Sequence, residues 1–194
     1  MSQPPPSSAE APEHVVLLDS DGKPSGTQDK ATVHTAHTPL HSAFSIFLFD
    51  GQGRMLAQQR ASSKKTWPGI WSNACCGHPA WGETALEAAY RRLDQELGIT
   101  GIELECALPD FRYRAELDGI VENEICPVFI GRYQGNPTRN PAEVDAVEWV
   151  SWADFAASCH GQTGTRFDSF SPWSHLEGKL LLDYPELDVY LDPK

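Results

Sequence analysis

Three of the chain's seven histidines fall within eight residues, at His34, His37 and His41, and a fourth, His78, stands two residues after Cys76. Further along, Glu122 and Glu124 stand two apart just ahead of Cys126, preceded by Phe111-Arg112-Tyr113-Arg114. Residues two apart in an extended strand point to the same side, so these carboxylates can share one ion. Imidazole with carboxylate suits Mn²⁺, Zn²⁺ or Fe²⁺, and a site dominated by oxygen favours Mg²⁺ or Mn²⁺. Any one of these histidines alone is an ordinary surface or packed residue. Together, His34, His41, His78, Glu122 and Glu124 form a candidate metal set, with His37 directed elsewhere. A buried cysteine is usually a small hydrophobe. Beside a metal ligand and a positive patch, however, the Cys76 thiolate would be stabilised and usable as an acid or base. Cys75 is expected on the other side of the backbone.

The positive patch comes from an uneven charge distribution. The chain of 194 residues carries 27 acidic and 15 basic side chains, a net charge of −12. Between Arg54 and Arg92, by contrast, six basic residues (Arg54, Arg60, Lys64, Lys65, Arg91, Arg92) face only Glu83 and Glu87. A local excess of cations inside an acidic chain suggests an anion pocket; a solvated basic surface is the plainer alternative. The overall acidity argues against nucleic acid and anionic membranes as partners.

Elements must position these groups, and the chain is long enough for one domain with a real core. Hydrophobic residues make up 40% and charged residues 22%, near globular averages. Residues 1–12, with Pro4-Pro5-Pro6, read as a disordered tail, leaving 13–194 as a single domain. Met1–Pro12 has neither a basic flank nor an apolar run, so no secretory leader is expected. The longest apolar stretch, Phe44–Phe49, is too short to span a bilayer. Five irregularly spaced cysteines fit reduced thiols in the cytoplasm better than a disulfide scaffold. Strands are predicted over His14–Asp19, Ser42–Asp50, Arg54–Gln59, Ile102–Leu108, Glu124–Tyr133 and Val144–Val150, the second and third joined by a hairpin at Gly51-Gln52-Gly53. Helices are predicted over Glu83–Leu97, with Leu86, Tyr90, Leu93 and Leu97 as the apolar face and Gly98 as the stop, and over Ser151–Ser158 and Trp173–Asp183. Strands and helices mix without alternation, which gives an α+β or mixed α/β class in packed layers.

From Gly77 to Ile99 the chain resembles the Nudix box, G-x5-E-x7-R-E-U-x-E-E-x-G-U, with Gly77, Glu83, Arg91, Leu93, Glu96, Gly98 and Ile99 in register. Arg92 and Gln95 stand where the box has glutamates, which makes the alternative of a Nudix-type diphosphate hydrolase a poor fit. His34–His41, Ser62–Trp71, Cys76-Gly77-His78-Pro79, Asp110–Arg114, Gly119–Glu124 and Phe170-Ser171-Pro172-Trp173 are instead similar to the type I isopentenyl-diphosphate isomerases. The resemblance covers about residues 14–185 and implies a Nudix-like fold, a central mixed sheet sandwiched by helices.

Carried over residue by residue, the resemblance implies Mn²⁺, Zn²⁺ or Mg²⁺ on His34, His41, His78, Glu122 and Glu124. It implies a second ion, Mg²⁺, joining the substrate diphosphate to the Glu96 carboxylate and the Cys76 backbone carbonyl. Lys30, Arg60, Lys64 and Arg92 match the family's diphosphate contacts. Cys76 and Glu124 match its acid–base pair, Tyr113 relays or orients the proton, and Trp173 faces the developing cation. The implied activity is the interconversion of isopentenyl and dimethylallyl diphosphates in isoprenoid biosynthesis, with donor and acceptor exchanging roles as the reaction reverses. A small-molecule substrate and a monomer or weak dimer are expected.

Overall fold

The computed structural model describes residues 13–192, so the expected tail over 1–12 lies outside the described residues. The N-terminal part runs β1 (His14–Leu18), β2 (Pro24–Asp29), α1 (Lys30–Val33) and β3 (His41–Ser42). Then come β4 (Phe44–Phe49), β5 (Arg54–Arg60), β6 (Trp71–Ser72), β7 (Cys75–Gly77) and α2 (Ala85–Leu97). The second half runs β8 (Leu104–Leu108), β9 (Arg112–Leu117), β10 (Ile120–Ile125), β11 (Val128–Arg132) and β12 (Val144–Ser151). Helices α3 (Trp152–Cys159), α4 (Pro172–Leu181) and α5 (Leu187–Leu191) close the chain. The α+β class holds, but the strands form two sheets rather than one. A five-stranded sheet has the order β2-β1-β3-β10-β9; the seven-stranded sheet has the order β12-β5-β4-β11-β8, with β6 on β5 and β7 on β4.

The two sheets meet along one bend. β3 pairs parallel with β10 in the first sheet, and β4 pairs parallel with β11 in the second. The single strand predicted over Glu124–Tyr133 is therefore two, broken at Cys126-Pro127. Pro127 has no N–H to continue the ladder, yet its carbonyl still accepts from the Ser45 N–H at 3.1 Å. Glu124 consequently lies opposite His41 in register.

All six residues of β4 are buried, because both faces of its sheet are covered. Phe44, Ile46 and Leu48 pack toward α2 with Ala88, Leu93 and Leu97, while Phe47 and Phe49 pack on the other side with Trp152 and Phe155 of α3. Helix α2 starts two residues later than predicted, since Thr84 caps it in a capping box with Glu87; Gly98, at φ 62°, ends it. Its inward face also differs from the prediction. Leu86 and Tyr90 are exposed, and Ala88, Ala89, Arg92, Leu93, Glu96 and Leu97 are buried. Alanines allow α2 to approach the sheet closely, and Arg92 can be buried because Glu96 one turn on accepts its Nε–H at 2.8 Å. No helix among the described residues is long and apolar enough to cross a membrane.

Candidate active site

The bend between the sheets gathers the histidines. His34 ends α1, His41 opens β3, His78 follows β7, and Glu122 and Glu124 share one face of β10. One ligand atom from each of His34, His41, His78 and Glu122 lies within 4.8 Å of all the others. His34 Nε2 is 3.0 Å from Glu122 Oε1, and Glu124 Oε1 is 3.2 Å from His41 Nε2 and 3.1 Å from His78 Nε2. His41 Nδ1 lies 2.9 Å from the Pro39 carbonyl, which only accepts; in the neutral ring this places the proton on Nδ1 and turns the Nε2 lone pair inward.

These residues fit a divalent metal ion on two grounds. Despite the close approach of His34 to Glu122 and of His41 to Glu124, His34 Nε2, His41 Nε2, His78 Nδ1 and Glu122 Oε1 are all buried without an aligned hydrogen bond, a costly arrangement unless an ion takes their lone pairs. Moreover, burial holds the His34 imidazole down to about 4 and His78 down to about 3, so both are neutral at pH 7, the form that ligates. Against burial, the His41 and His78 imidazoles beside it hold Glu124 well below the usual carboxylate range; burial and the Glu124 charge push Glu122 well above it. Burial also works against charge on His41, but Glu124 outweighs it and raises that imidazole.

Above the cluster opens a cleft of about 380 Å³ lined by Cys76, Tyr113 and Trp173 together with Lys30, Arg60, Lys64 and Arg92. The Tyr113 hydroxyl donates to Glu124 Oε2 at 2.7 Å. Trp173 on α4 meets Trp67 edge-on with ring centroids 5.0 Å apart, and Tyr113 lies 6.4 Å from it. Cys75 faces α2 and is fully buried, whereas Cys76 packs on the opposite side of the sheet. The expectation of a stabilised Cys76 thiolate is corrected. Burial pushes the thiol well up, against its contacts with Ser45 and Asn73, which favours the neutral thiol.

Arg60, Lys64, Lys65 and Arg92 of the basic segment line the cleft with Lys30 from α1, whereas Arg54 and Arg91 pair outside it with Asp50 and Glu83; most of the cleft's cations are already partnered. Lys30 Nζ sits 2.6 Å from Glu13, and Lys64 Nζ sits 2.6 Å from Glu143. Arg92 reaches Glu96, Glu143 at 3.0 Å and Glu13 at 3.5 Å. Arg60 donates to the Thr66 carbonyl at 2.9 Å. Glu96, the second expected ion ligand, also takes Gln58 Nε2 at 3.2 Å.

Sequence reasoning missed Glu13, Glu143, Ser45 and Glu177, none of which stands out by spacing; Asn73 opens the segment that carries Cys75, Cys76 and His78, but with no role of its own. Trp67 lies inside the Ser62–Trp71 motif, which gives it no role of its own. Its φ of 46° is a conformation bulky side chains rarely adopt, held here by the Nε1–H bond to the Leu117 carbonyl at 3.1 Å and edge contact with His34.

Residues 39–168 match the family model of the NUDIX domain. Among solved structures, the DR0079 protein of Deinococcus radiodurans superposes with a TM-score of 0.64 at 18% identity, covering 89% of this chain and 99% of that one. A MutT protein from Methanosarcina mazei Go1 superposes at 0.57 with 19% identity, over 75% of this chain and 94% of that one. At these identities the likeness is one of fold. Sequence relatives are nearer. The isopentenyl-diphosphate Delta-isomerase of Frankia alni is 47% identical over 173 residues, 89% of this chain and 87% of that protein. The protein of the same name from Mycolicibacterium vanbaalenii is 50% identical over 171 residues, 87% of this chain and 91% of that one. Sharing the fold with the first group and about half its residues with the second, the chain belongs to the isopentenyl-diphosphate Delta-isomerase family of NUDIX-domain proteins.

Proposed function

We propose that the cleft interconverts isopentenyl and dimethylallyl diphosphates by a 1,3 proton shift. The observation that carries the reading is Glu124, whose two oxygens face different chemistry: Oε1 toward His41 and His78, Oε2 toward the Tyr113 hydroxyl at 2.7 Å. A carboxylate so held is aimed, and the cationic rim above it suits a diphosphate.

An isolated alkene is a very weak base, so the hard step is its protonation. The π pair forms a C–H bond at the terminal methylene carbon, leaving a tertiary cation. A proton then leaves the neighbouring methylene, and its C–H pair becomes the new double bond. One acid and one base suffice, with no redox step. Cys76 and Glu124 are the pair; Tyr113 orients Glu124 or relays its proton. Trp173, against Trp67, excludes water and offers a π face to the cation, worth about 0.5–2 kcal/mol. Lys30, Arg60, Lys64 and Arg92 bind the diphosphate, Arg by forked hydrogen bonds and Lys as a point charge. Glu13 and Glu143 release these cations as the substrate enters.

Mn²⁺ or Zn²⁺ on His34, His41, His78, Glu122 and Glu124, when bound, supplies positive charge that tunes the acidity of Glu124. The Glu96 carboxylate and the Cys76 carbonyl would hold Mg²⁺, which would supply charge against the diphosphate. The same reading takes 13–194 as one domain, a monomer or weak dimer in the cytoplasm, where its five free thiols stay reduced. The test is product identity with isopentenyl diphosphate and Mg²⁺. Formation of dimethylallyl diphosphate without release of phosphate supports isomerisation; phosphate or pyrophosphate release without it would establish a hydrolase.

A further inference from the structure

Behind Cys76, away from the cleft, lies a buried polar chain that the proton shift above does not use. Glu177 on α4 has no exposed surface, and no ion pair among the described residues includes it. Its Oε2 lies 2.8 Å from Ser45 Oγ, and its Oε1 lies 3.9 Å from Cys126 Sγ. Ser45 Oγ lies 3.3 Å from Cys76 Sγ and accepts from Asn73 Nδ2 at 2.8 Å. The Asn73 amide is fixed in orientation. Its Nδ2 also donates to the Ile46 carbonyl at 2.8 Å, which only accepts, and its Oδ1 takes the Ser174 hydroxyl at 2.8 Å.

Counting hydrogens then decides the direction of the chain. A serine hydroxyl has one hydrogen and two lone pairs. Asn73 fills one lone pair, so of Glu177 and Cys76 one must donate to Ser45 and the other accept. An ionised Glu177 can only accept. It would take the Ser45 hydrogen and turn the Cys76 S–H back toward Ser45 or toward Asn73 Oδ1 at 3.5 Å, away from the substrate. A neutral Glu177 can donate instead, and at 2.8 Å Ser45 is the nearer partner, against 3.9 Å for Cys126; that donation frees the Ser45 hydrogen for Cys76 Sγ and lets the thiol hydrogen turn to the cleft. Surroundings without a cation favour the neutral form. Burial pushes the Glu177 carboxyl well up despite the Ser45 hydrogen bond, and the Glu124 charge pushes the same way.

We propose that Glu177 is a positioning residue kept as the neutral acid: it donates to Ser45, Ser45 donates to Cys76 Sγ, and the Cys76 hydrogen is left pointing at the substrate. The consequence for turnover rests on the isomerase reading; the protonation state of Glu177 does not.

Two measurements test it on the full-length protein. The first is the infrared difference spectrum between wild type and Glu177→Gln at neutral pH. Loss of a neutral-carboxyl carbonyl band in the variant is expected, and loss of an ionised-carboxylate band instead would overturn the proposal. The second is steady-state kinetics with isopentenyl diphosphate. Gln retains an N–H donor, so Glu177→Gln should keep kcat within about twofold. Glu177→Met, which lacks a donor, and Ser45→Ala should lower kcat by about tenfold, the scale of one hydrogen bond, with KM unchanged. Equal losses in Glu177→Gln and Glu177→Met, or no loss in Glu177→Met, would overturn it; should Glu177→Met not fold, Ser45→Ala reads the same link. A wild-type protein that does not isomerise would sink the isomerase reading alone, since the infrared result stands without it.

Discussion

At the scale of single residues, adjacent side chains do different work because a strand alternates its faces. Cys75 is packed against α2, and Cys76 looks into the cleft. Cys76→Ala should lower turnover by about 10² or more, the scale for losing acid–base help, while Cys75→Ala keeps turnover near wild type. The pairing of Lys64 and Arg92 with Glu143 leads to a second expectation. Glu143→Gln removes a carboxylate that competes with phosphate, so inhibition by inorganic pyrophosphate should tighten, by about threefold. Arg92→Ala should weaken that inhibition and Arg92→Glu should weaken it further; three unchanged inhibition constants would make Arg92 and Glu143 structural ion-pair partners and not part of a phosphate site. The histidines, Glu122 and Glu124 were legible because their residue types are scarce and their spacing is suggestive. Glu13 and Glu143 were not, since an acid is ordinary in a chain this acidic and only folding brings these two to the cations.

At the scale of elements, the break at Cys126-Pro127 matters most. The sequence shows an apolar, branched run there, which reads as one strand. The missing N–H of Pro127 divides it, and the division lets one strand pair serve two sheets. That register puts Glu124 against His41. Helix α2 was legible in its extent and its glycine stop, but not in its inward face. Hydrophobic periodicity assigns Leu86 and Tyr90 inward, whereas the Arg92–Glu96 pair turns a charged stripe toward the cleft. The capping box of Thr84 with Glu87 holds the start of this helix. Thr84→Ala should cost about 1 kcal/mol in denaturant unfolding with little effect on KM. A loss of activity at unchanged stability would mean that the cap acts on the site directly.

At the scale of the whole molecule, the candidate metal set joins segments far apart in the chain: α1 and β3, the end of β7, and β10. Its geometry predicts that chelation loosens the five-stranded sheet around His34–His41 first, seen as faster proteolysis there, with the seven-stranded sheet protected. His34→Ala and His78→Ala should each lose tightly held metal by elemental analysis, and a full equivalent retained in both would remove them from the ligand set. The pH dependence has a definite sign. His34 and His78, held to about 4 and about 3, already have free lone pairs at neutral pH. His41 and Glu122 are shifted upward, so any proton they hold must leave as the ion binds; metal affinity should therefore rise with pH, with proton release seen by calorimetry in buffers of different ionisation heat. The central claim is that Cys76 and Glu124 move protons on and off an allylic carbon unit. Its most direct test is NMR of isopentenyl diphosphate incubated with the protein and Mg²⁺ in deuterated water. Wild type should place deuterium in both isomers as they interconvert, and Cys76→Ala and Glu124→Gln should each slow the exchange by about 10² or more. Full exchange in either variant, or none in the wild type, would contradict the account.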